Sequence, residues 1–390
     1  MKILFVRTYC PNQIFYGSEM RAARHVDYFR QKGQVDLLTL TSPGKDANTA
    51  YIRTQFGQHH YFDQSGDHQR IGKLEKFLYF LPWQLMDFYA KDLQKKLNAI
   101  LEKNQYDMIF VFKLDPVFYF LKLPLHWRKR VVLDFDDILS DVYRDQYKDF
   151  FTSQKNSRAL KLYEQKALVQ FRRVFVCSRD ALVRFRPKGL DKVGVIPNIF
   201  AADAKEFMTD PGPPDRLLFV GSLDYSPNLE GLKWFCKHIW PEFLKVYPQV
   251  ILTVVGKIPK DARHITELLG DPKNMKVTVN VPSVAPYYSN CYATIVPLLN
   301  GSGTRLKILE SASFGRPVIT TAKGAEGLDF EHGKNIFIFE DSAAFIKAYQ
   351  DLLVKDKYVQ VAQSALGVLK ERYSPEVFLS LMNENWRSMV

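Results

Sequence analysis

Short apolar segments rich in β-branched residues recur along the chain, and helical patterns separate them. This alternation limits the fold more than any other feature, because a strand that is apolar on both faces must be covered on both faces. The first half contains six such segments: KILFVR (2–7), QVDLLTL (34–40), DMIFVF (107–112), RVVLDF (130–135), RVFVCS (173–178) and KVGVIP (192–197). Helical patterns fall between them, notably at 18–32, 85–103 and 156–171. Strand and helix in alternation predict a doubly wound parallel sheet.

The pattern starts again after DPGPPD (210–215), where proline and glycine block regular structure. Six further strand segments follow: RLLFVGS (216–222), VILTVVG (250–256), MKVTV (275–279), ATIVPL (293–298), PVITT (317–321) and NIFIFE (335–340). A chain of 390 residues is also too long for one ordinary core. We therefore predict an α/β protein with two Rossmann-like, doubly wound domains, 1–200 and 201–373. A last helix, 374–390, is a candidate to cross back to the first domain.

Composition narrows the class of protein. The chain is 46% apolar and 25% charged, which describes a globular protein. Its four cysteines lie far apart without metal-binding spacing, so we expect reduced thiols in a cytosolic protein. The first residues, MKILFVRTY, run straight into a strand pattern, so no signal peptide is expected. No uncharged apolar stretch reaches about 18 residues, so no membrane-spanning helix is expected.

All of the net charge of +12 comes from the first half of the chain. Residues 1–200 hold 33 Lys and Arg against 21 Asp and Glu, whereas residues 201–390 hold 21 of each. The excess is concentrated in residues 155–192, with 11 basic residues and three acids. This asymmetry indicates an anionic partner for the first half: nucleic acid, an anionic lipid surface or a phosphate-bearing acceptor. A solvated basic face that maintains solubility is the alternative.

The segment KLEKFLYFLPWQLMDFYAKDL (73–93) is unusually aromatic. Its apolar residues are too many for one narrow helical stripe, and a proline interrupts it. A helical hairpin buried against its own sheet is one interpretation. An interfacial element, with Trp and Phe entering a lipid headgroup region beside lysines, is the other.

Residues 300–316, NGSGTRLKILESASFGR, place two glycines directly before a helical pattern. Glycine lets the backbone approach a ligand closely, and the unpaired N–H groups of a helix start attract anions. Arg305 and Lys307 add charge suited to a diphosphate. Glu310, one turn deeper, can accept hydrogen bonds from sugar hydroxyls. The alternative interpretation is a surface loop followed by a capped amphipathic helix, in which Lys307 and Glu310 form a weak surface pair. Neither the GxxxxGK[ST] nor the GxGxxG pattern occurs here, which weighs against ATPase and dehydrogenase functions.

A second polar cluster follows a strand in VVLDFDDIL (131–139). Asp134, Asp136 and Asp137 are predicted to lie at the edge of the first domain and to bind an acceptor substrate there. Carboxylates that cap a helix are the structural alternative. A D-x-D metal site that bridges Mg²⁺ or Mn²⁺ to a diphosphate is the third interpretation.

The stretch GSGTRLKILESASFGRPVITTAKGAEGL strongly resembles the nucleotide-sugar motif of bacterial family 4 retaining glycosyltransferases. The resemblance implies the GT-B architecture of that family, in which two Rossmann-like, doubly wound domains face across a cleft. In that family a K-[IV]-L-E-A helix precedes G-[KR]-P-V-[IV] and a G-x-E-G segment. Four other parts of the chain resemble the family in the same order. YGSEMRAARHVDYFRQKGQVDLLT resembles its N-terminal glycine turn and helix, and VFVCSRDA and VIPNIF resemble the strand before its domain linker. LLFVGSLDYSPNLEGLKWF resembles the first strand and loop of its second domain, and VPSVAPYYSNCYATIVPL resembles the segment beside the nucleotide base. The resemblance covers most of the chain.

Residue roles follow from this resemblance by position. Glu310 resembles the second glutamate of the family's E-x7-E motif, which holds the ribose hydroxyls. Gly303 and Thr304 resemble backbone donors to the diphosphate or the sugar. Gly17 resembles a glycine near the diphosphate, and Asn198 lies at the family's domain junction. The donor-binding residues so implied are Gly17, Asn198, Gly221, Asn280, Val281, Ser302, Gly303 and Thr304.

Two departures from the family pattern affect the donor site. The first glutamate of E-x7-E falls on Ser302, so the choice of sugar cannot be carried over. The G-R…K-G phosphate pair after the first strand of the second domain is also missing, and Gly221-Ser222 followed by DYSPNLEG stands there instead. We infer that Arg305 and Lys307 supply the lost charge, and with Glu310 they form the predicted catalytic group.

The resemblance implies transfer of a sugar from a nucleoside-diphosphate sugar to a glycan or a lipid-diphosphate-linked acceptor, with retention of configuration. It implies neither a cofactor nor a metal. Together with the basic first half, it favours a cytoplasmic protein, peripheral at an anionic inner membrane face, that acts in capsule, exopolysaccharide or lipopolysaccharide synthesis. The rivals are a GT-B-type phosphorylase, a nucleotide-sugar epimerase, and a non-enzymatic nucleic-acid-binding protein. Nucleic acid is not expected as a partner, because the basic run resembles no recognition module.

Overall fold

The computed structural model describes residues 1–11, 17–44, 47–62, 91–146, 150–185, 188–200, 210–258, 262–301 and 305–390. Ser302, Gly303 and Thr304 lie outside the described residues, and so does the aromatic segment up to residue 90. The chain divides into two compact units. Unit 1 comprises residues 1–197 and 379–390, and unit 2 comprises residues 198–378.

Unit 1 is built on seven parallel strands. They are β1 (Lys2–Arg7), β2 (Gln34–Thr39), β3 (His59–Tyr61), β4 (Met108–Phe112), β5 (Val131–Asp134), β6 (Arg173–Val176) and β7 (Val193–Val195). Their order in the sheet is β3-β2-β1-β4-β5-β6-β7. The six segments predicted in this half are confirmed as strands, with shorter ends. The strand β3 was not predicted from the sequence, because a three-residue polar strand at a sheet edge needs no run of apolar residues.

Seven α-helices of unit 1 lie in the described residues before β7. They are α1 (Ser18–Arg30), α2 (Thr49–Gln55), α3 (Lys91–Asn104), α4 (Val117–Leu121), α5 (Leu125–Arg128), α6 (Leu139–Gln146) and α7 (Phe150–Gln170). Two 3₁₀ helices, Arg179–Arg184 and Leu190–Lys192, follow α7 and flank the approach to β7. The helix α2 begins where the Asn48 side chain accepts a hydrogen bond from Tyr51 N at 3.0 Å, an N-cap that satisfies a backbone donor.

Unit 2 repeats the plan with six parallel strands. They are β8 (Arg216–Val220), β9 (Ile251–Gly256), β10 (Met275–Val279), β11 (Ala293–Val296), β12 (Val318–Thr320) and β13 (Phe337–Ile338). Their order is β10-β9-β8-β11-β12-β13. All six segments predicted in this half are confirmed as strands. The prediction of an α/β protein with two doubly wound parallel sheets is therefore confirmed.

Nine α-helices follow β8 in the described residues, and all but the last, α16, lie wholly in unit 2. They are α8 (Ser226–His238), α9 (Trp240–Val246), α10 (Ala262–Leu268), α11 (Ala285–Ser289), α12 (Leu306–Ser313), α13 (Ala322–Ala325), α14 (Ser342–Leu353), α15 (Lys355–Arg372) and α16 (Pro375–Met389). The core between sheet and helices is markedly aromatic. Trp240 stacks on Phe243 at 5.4 Å, and Phe243 meets Tyr349 edge-on at 5.0 Å. Each such fully buried ring stabilises the unit by roughly 1.5–3 kcal/mol through burial alone.

The last helix, α16, belongs to unit 1 from Leu379 onward. Tyr28 donates a hydrogen bond from its hydroxyl to Asn383 Oδ1 at 2.9 Å, and Trp386 packs edge-on against the same tyrosine ring at 5.8 Å. Arg173, the first residue of β6, donates to Asn385 Oδ1 at 2.5 Å. Unit 1 is thus completed by the final twelve residues of the chain.

The strand order of each sheet reverses direction once. In unit 1 the reversal lies between β1 and β4, and in unit 2 it lies between β8 and β11. At such a point the loops at the carboxyl ends of the two strands run away from each other, which leaves a crevice where ligands of doubly wound sheets bind. The loops after β1 and β4, and those after β8 and β11, are therefore the places to look for a site.

Candidate functional site

The glycine loop of unit 2 leaves the carboxyl end of β11 and enters α12. Gly301 has a φ of +99°, which favours glycine over any other residue. A Cβ at this position would also lie 3.3 Å from the Tyr225 hydroxyl oxygen, so the loop packs closely on the start of α8. Asn300 donates to Glu230 Oε2 at 2.8 Å, a second tie to α8. The loop is therefore held at its first end.

Arg305 holds the other end of the loop. It is the N-cap residue of α12 and is buried. Its guanidinium donates to Gly301 O at 2.8 Å and to Lys323 O at 3.3 Å. Predicted as a diphosphate contact, Arg305 thus also supports the loop by satisfying two backbone carbonyls.

Lys307 points across the strand reversal to the loop after β8. Its Nζ donates to Asn228 Oδ1 at 2.5 Å and lies 5.0 Å from the centre of the Phe219 ring. Burial, followed by the positive charge of Arg305, lowers the pKa of Lys307 to about 7, although Glu310 acts in the opposite direction. The side chain is directed to Asn228 and not to Glu310, so the alternative of a weak surface pair on one helix face is wrong.

Gly221 is placed so that this lysine can reach the β8 loop. A Cβ at position 221 would lie 3.0 Å from Lys307 Nζ and 2.9 Å from Asn228 Nδ2. The Asn228 amide also donates to Ser222 O at 2.7 Å. Gly221, Asn228 and Lys307 therefore form one compact group, the Lys307 group, at the strand reversal of unit 2. Asn228 was missed by sequence reasoning, and its only signal is a polar residue in the first turn of the helix that follows β8.

Glu310 lies one turn into α12 and is partly buried. Tyr288 donates a hydrogen bond from its hydroxyl to Glu310 Oε2 at 2.9 Å. The tyrosine ring stacks face to face on Phe314 at 4.7 Å, and burial raises the pKa of this hydroxyl, so it stays a donor. A rigid, protonated tyrosine thus orients the carboxylate predicted to bind ribose.

Asn280 and Val281 stand at the carboxyl end of β10. Asn280 has a φ of +56°, and its side chain accepts from Ile258 N at 3.1 Å and donates to Ile258 O at 2.8 Å. Val281 is partly buried and packs on the cluster that contains Tyr288 and Phe314. These contacts give both residues a structural role, and their predicted part in donor binding stays a prediction.

Gly17 and Asn198 are the two remaining residues predicted to bind the donor. Gly17 is the N-cap of α1, with a φ of +43° that favours glycine. Arg7, the last residue of β1, pairs with Glu19 in the first turn of the same helix. Asn198 is buried and is the first residue of unit 2. Gly17 thus begins the helix that follows β1, and the parts of Gly17 and Asn198 in donor binding stay predictions.

Asp134 is a structural residue, and its predicted contact with an acceptor is wrong on physical grounds. Its side chain is 0% exposed. Its carboxylate accepts from Arg21 Nη2 at 2.8 Å and from His25 Nε2 at 2.7 Å. Burial alone would raise the pKa of Asp134, but the charge of Arg21 and these hydrogen bonds outweigh burial and hold the pKa at about 2. Asp134, Arg21 and His25 therefore form a buried cluster that joins β5 to α1 inside unit 1.

Asp136 and Asp137 remain at the carboxyl edge of the unit 1 sheet. Asp136 is 3% exposed, and Lys113 Nζ lies 3.5 Å from its Oδ2. Burial raises the pKa of Asp136 although Lys113 and Arg21 oppose the shift. Lys113 and Asp136 both have positive φ, +71° and +57°, a strain of about 1–3 kcal/mol each that is common at functional sites.

Residues from the other side of the strand reversal complete this edge. Thr8, directly after β1, donates to Asp115 Oδ2 at 3.4 Å, and burial raises the pKa of Asp115. Sequence reasoning missed Thr8, Lys113 and Asp115. The signal was available, because each follows β1 or β4, the two strands that flank the reversal of unit 1.

Among the residues that the structure describes, no group of three or more His, Cys, Asp or Glu side chains is arranged to hold a metal ion. In the same residues, no helix is both long enough and apolar enough to cross a membrane.

Two parallel doubly wound sheets, each with polar side chains collected at its strand reversal, define the GT-B class of fold. Three solved structures show this likeness. HepE from Anabaena, in complex with UDP and glucose, has a TM-score of 0.68 at 16% identity, covering 100% of both chains. Sucrose-phosphate synthase from Thermosynechococcus elongatus has a TM-score of 0.71 at 16% identity, covering 100% of this chain and 98% of that one. The lipopolysaccharide outer core galactosyltransferase WaaB has a TM-score of 0.61 at 14% identity, covering 100% of both chains.

The sequence itself is similar to one family model and to one curated protein. Residues 214–355 match the family model described as "Glycosyl transferases group 1". Over 413 aligned residues the chain is 24% identical to the "Uncharacterized 44.6 kDa protein in cps region" of Klebsiella pneumoniae, covering 98% of this chain and 100% of that protein. Residues 214–355 are therefore similar to the group 1 glycosyltransferases, and the predicted resemblance to a GT-B glycosyltransferase is confirmed at this level. Its assignment to family 4 stays a prediction.

Proposed function

We propose that this protein is a retaining glycosyltransferase. It transfers a sugar from a nucleoside-diphosphate sugar to a glycan or a lipid-linked acceptor in the synthesis of a bacterial surface polysaccharide. The single observation that carries the proposal is the Lys307 group. In this group the Lys307 amine meets Asn228 and the loop after β8 at the strand reversal of unit 2, and doubly wound sheets bind phosphate ligands at such a point.

The diphosphate of the donor is assigned to this group. Lys307 offers a charged donor, and the first N–H groups of α12 add the positive end of the helix dipole. Arg305 contributes charge from the N-cap position and keeps the loop in place. The basic residues that the family carries after β8 are missing here. Lys307 supplies a positive charge at the same place, because its side chain reaches the loop after β8 from α12.

The ribose is assigned to Glu310. An ionised carboxylate only accepts hydrogen bonds, and the two hydroxyls of a ribose are matching donors. Tyr288 holds one carboxylate oxygen, which fixes the direction in which the group presents itself. The related HepE structures are described with UDP or UDP-glucose, so uridine nucleotides are the first to test.

The acceptor is assigned to Asp136 and Asp137, with Lys113 beside them, and no longer to Asp134. Carboxylates at the carboxyl edge of unit 1 are suited to accept hydrogen bonds from the hydroxyls of a glycan. The cps-region relative and the lipopolysaccharide galactosyltransferase favour a surface polysaccharide as the product.

The reaction follows front-face attack. The acceptor oxygen forms a bond to the anomeric carbon on the face from which the bond to the diphosphate oxygen breaks. The acceptor proton passes to the departing diphosphate. Positioning of the reactants and stabilisation of the diphosphate charge are then the main tasks of the protein, and Lys307, Arg305 and the helix start perform the second.

The membrane part of the proposal rests on charge. The whole excess of +12 lies in residues 1–200, and each basic residue near an anionic surface contributes about 1 kcal/mol. Reversible attachment at the inner face of the membrane would bring a lipid-linked acceptor to unit 1.

A screen of nucleotide-sugars for binding and slow hydrolysis tests the function. UDP-glucose, UDP-galactose and GDP-mannose are compared in thermal shift and hydrolysis assays, with inorganic phosphate and duplex DNA as rivals. We expect one nucleotide-sugar to stabilise unit 2, and the Lys307→Met variant to lose that effect. Lys245→Met is the matched control, because Lys245 lies on the surface paired with Glu242. Stabilisation by phosphate or DNA alone would overturn the proposal in favour of a phosphorylase or a nucleic-acid-binding protein.

A further inference from the structure

A cavity of about 420 Å³ lies in unit 1, away from the residues assigned to the acceptor. Its walls come from the three chain segments that lead into β5, β6 and β7, which are neighbours in the sheet. The lining residues are Leu125, Arg128, Lys129, Val169, Gln170, Phe171, Arg172 and Lys192. The cavity, called the amino-edge cavity below, therefore lies at the amino ends of these strands. Asp136 and Asp137 follow β5 and lie at the opposite, carboxyl edge.

The amino-edge cavity is lined by positive charge alone. Four of its eight lining residues are basic, Arg128, Lys129, Arg172 and Lys192, and none is acidic. In the part of the chain that the structure describes, none of the four forms an ion pair with an Asp or Glu side chain. Asp191, the acid next to Lys192 in sequence, is exposed and does not line the cavity. Like charges collected in one place repel one another, and an anion bound among them removes that cost.

Hydrogen bonds to the backbone hold two of these basic side chains in place. Lys192 donates from Nζ to Val169 O at 2.8 Å and to Phe171 O at 3.2 Å, at the end of α7. Arg172 donates from Nε to Ser388 O at 3.0 Å. An ammonium group has three donors and a guanidinium has five, so both side chains keep donors for a ligand.

Arg128 supplies an observation of a different kind. It donates from Nη1 to the side-chain oxygen of Gln170. Its Nε is buried and has no hydrogen-bond partner among the described residues. A buried donor without an acceptor is unfavourable, and a ligand oxygen in the cavity would satisfy it. Arginine is also the side chain whose planar fork best matches the oxygens of a phosphate.

The rest of the wall is apolar. Val169 and Phe171 line the cavity beside Leu125, whose side chain is 55% exposed. A ligand that fits this wall carries an organic part as well as an anionic group. The volume of the cavity lies in the usual range for small-molecule sites.

We propose that the amino-edge cavity is a second ligand site, which binds a phosphate ester. The phosphate lies among the four basic side chains, and the organic part lies against the apolar wall. The headgroup of an anionic phospholipid and a soluble ester such as a sugar phosphate share this chemistry. The proposal goes beyond the proposed function, because none of the residues assigned to the donor or the acceptor lines this cavity.

Calorimetry with glycerol phosphate tests the site. This ester carries a phosphate and a short organic part but no nucleoside. It is titrated into the wild-type protein in excess UDP, which occupies the donor site assigned to Lys307. We expect saturable binding that weakens as salt rises, because screening reduces the attraction between the phosphate and the basic side chains.

A double variant assigns this binding to the cavity. Lys129→Met combined with Arg172→Met removes two exposed charges and should change the melting temperature little. Loss of one charge-assisted hydrogen bond weakens binding by about ten- to a hundredfold, so the double variant should bind glycerol phosphate at least about tenfold more weakly. Lys95→Met combined with Arg179→Met is the matched control. It removes the same charge from exposed positions of unit 1 outside the cavity and should bind like the wild type.

Vesicle binding identifies the source of the phosphate. Both double variants are compared on vesicles of equal parts phosphatidylglycerol and phosphatidylcholine, and on phosphatidylcholine alone. If the cavity variant binds the anionic vesicles about tenfold more weakly than the control, the ligand is a lipid headgroup. If the two variants bind vesicles alike and only the cavity variant loses glycerol phosphate, the ligand is a soluble ester. Equal behaviour of the two double variants in both assays would overturn the proposal, whether or not a nucleotide-sugar binds to unit 2.

Discussion

Replacing Asp134 by Asn should destabilise unit 1 without weakening donor binding in unit 2. The change keeps the size of the side chain but removes the charge that lies against Arg21, which also donates a hydrogen bond to Ile196 O at 2.7 Å. Removing one partner of a buried ion pair costs about 3–5 kcal/mol, because the other charge stays buried and uncompensated.

The pKa of Asp134 gives an independent magnitude. Its value falls from 3.8 in a free side chain to about 2 in the fold, which corresponds to about 2 kcal/mol of stability above pH 4. Because the folded pKa is the lower one, this contribution is complete above pH 4 and is lost as the pH falls from 4 towards 2. Wild-type stability should therefore decline in that window more steeply than the stability of Asp134→Asn.

Calorimetric unfolding checks both statements. For a unit of about 200 residues, 3–5 kcal/mol corresponds to a decrease in melting temperature of about 7–12 °C. Asp137→Asn is the matched control, since Asp137 lies three residues on and is only partly buried, and it should melt within about 2 °C of the wild type. An Asp134→Asn protein that melts like the wild type but fails to use its acceptor would refute the structural role and restore Asp134 to the acceptor site.

Four further outcomes are expected. Arg305→Ala and Lys307→Ala should each weaken nucleoside-diphosphate binding by about 1–3 kcal/mol, the range for a charge-assisted hydrogen bond, and unchanged calorimetric affinity in both would sink the diphosphate assignment. Glu310→Gln should weaken UDP or GDP binding at a nearly constant melting temperature, because the amide oxygen can still accept from Tyr288; a large loss of stability with intact binding would make Glu310 structural. Activity should survive excess EDTA, whereas complete loss restored by Mn²⁺ would favour a metal site. Binding to anionic vesicles should fall steeply with salt, since screening acts over about 8 Å at physiological ionic strength, and equal binding to neutral vesicles would contradict the electrostatic attachment.

The order of strands and helices was predictable because it depends on local pattern. Twelve of the thirteen strands in the described residues stand where apolar β-branched segments predicted them. The exception, β3, reads His59-His60-Tyr61 and sits at an edge, where little apolar surface has to be buried. Helix starts were less predictable: α7 begins at Phe150, six residues before the predicted 156, because end positions depend on packing as well as on periodicity.

The candidate site was predictable in its segment and not in its contacts. The glycine loop and the α12 residues were identified from spacing, but the partner of Lys307 is Asn228, 79 positions away. Asp134 was placed with Asp136 by proximity in sequence, yet its ion pair with Arg21 spans 113 positions and takes it into the core. Such pairs depend on which strands become neighbours, and a single sequence carries no direct record of that order.

The position of the last helix has a consequence for how this protein is made. A ribosome releases residues 1–197 long before residues 379–390, yet both belong to unit 1. Until residues 379–390 have been made, Tyr28 and Arg173 lack their hydrogen bonds to Asn383 and Asn385. Unit 2 is continuous and meets no such delay, so the second unit in the chain is the first able to finish folding. A nascent or truncated chain that stops at residue 378 therefore presents an incomplete unit 1 to chaperones and proteases, and arrival of residues 379–390 ends that vulnerable period.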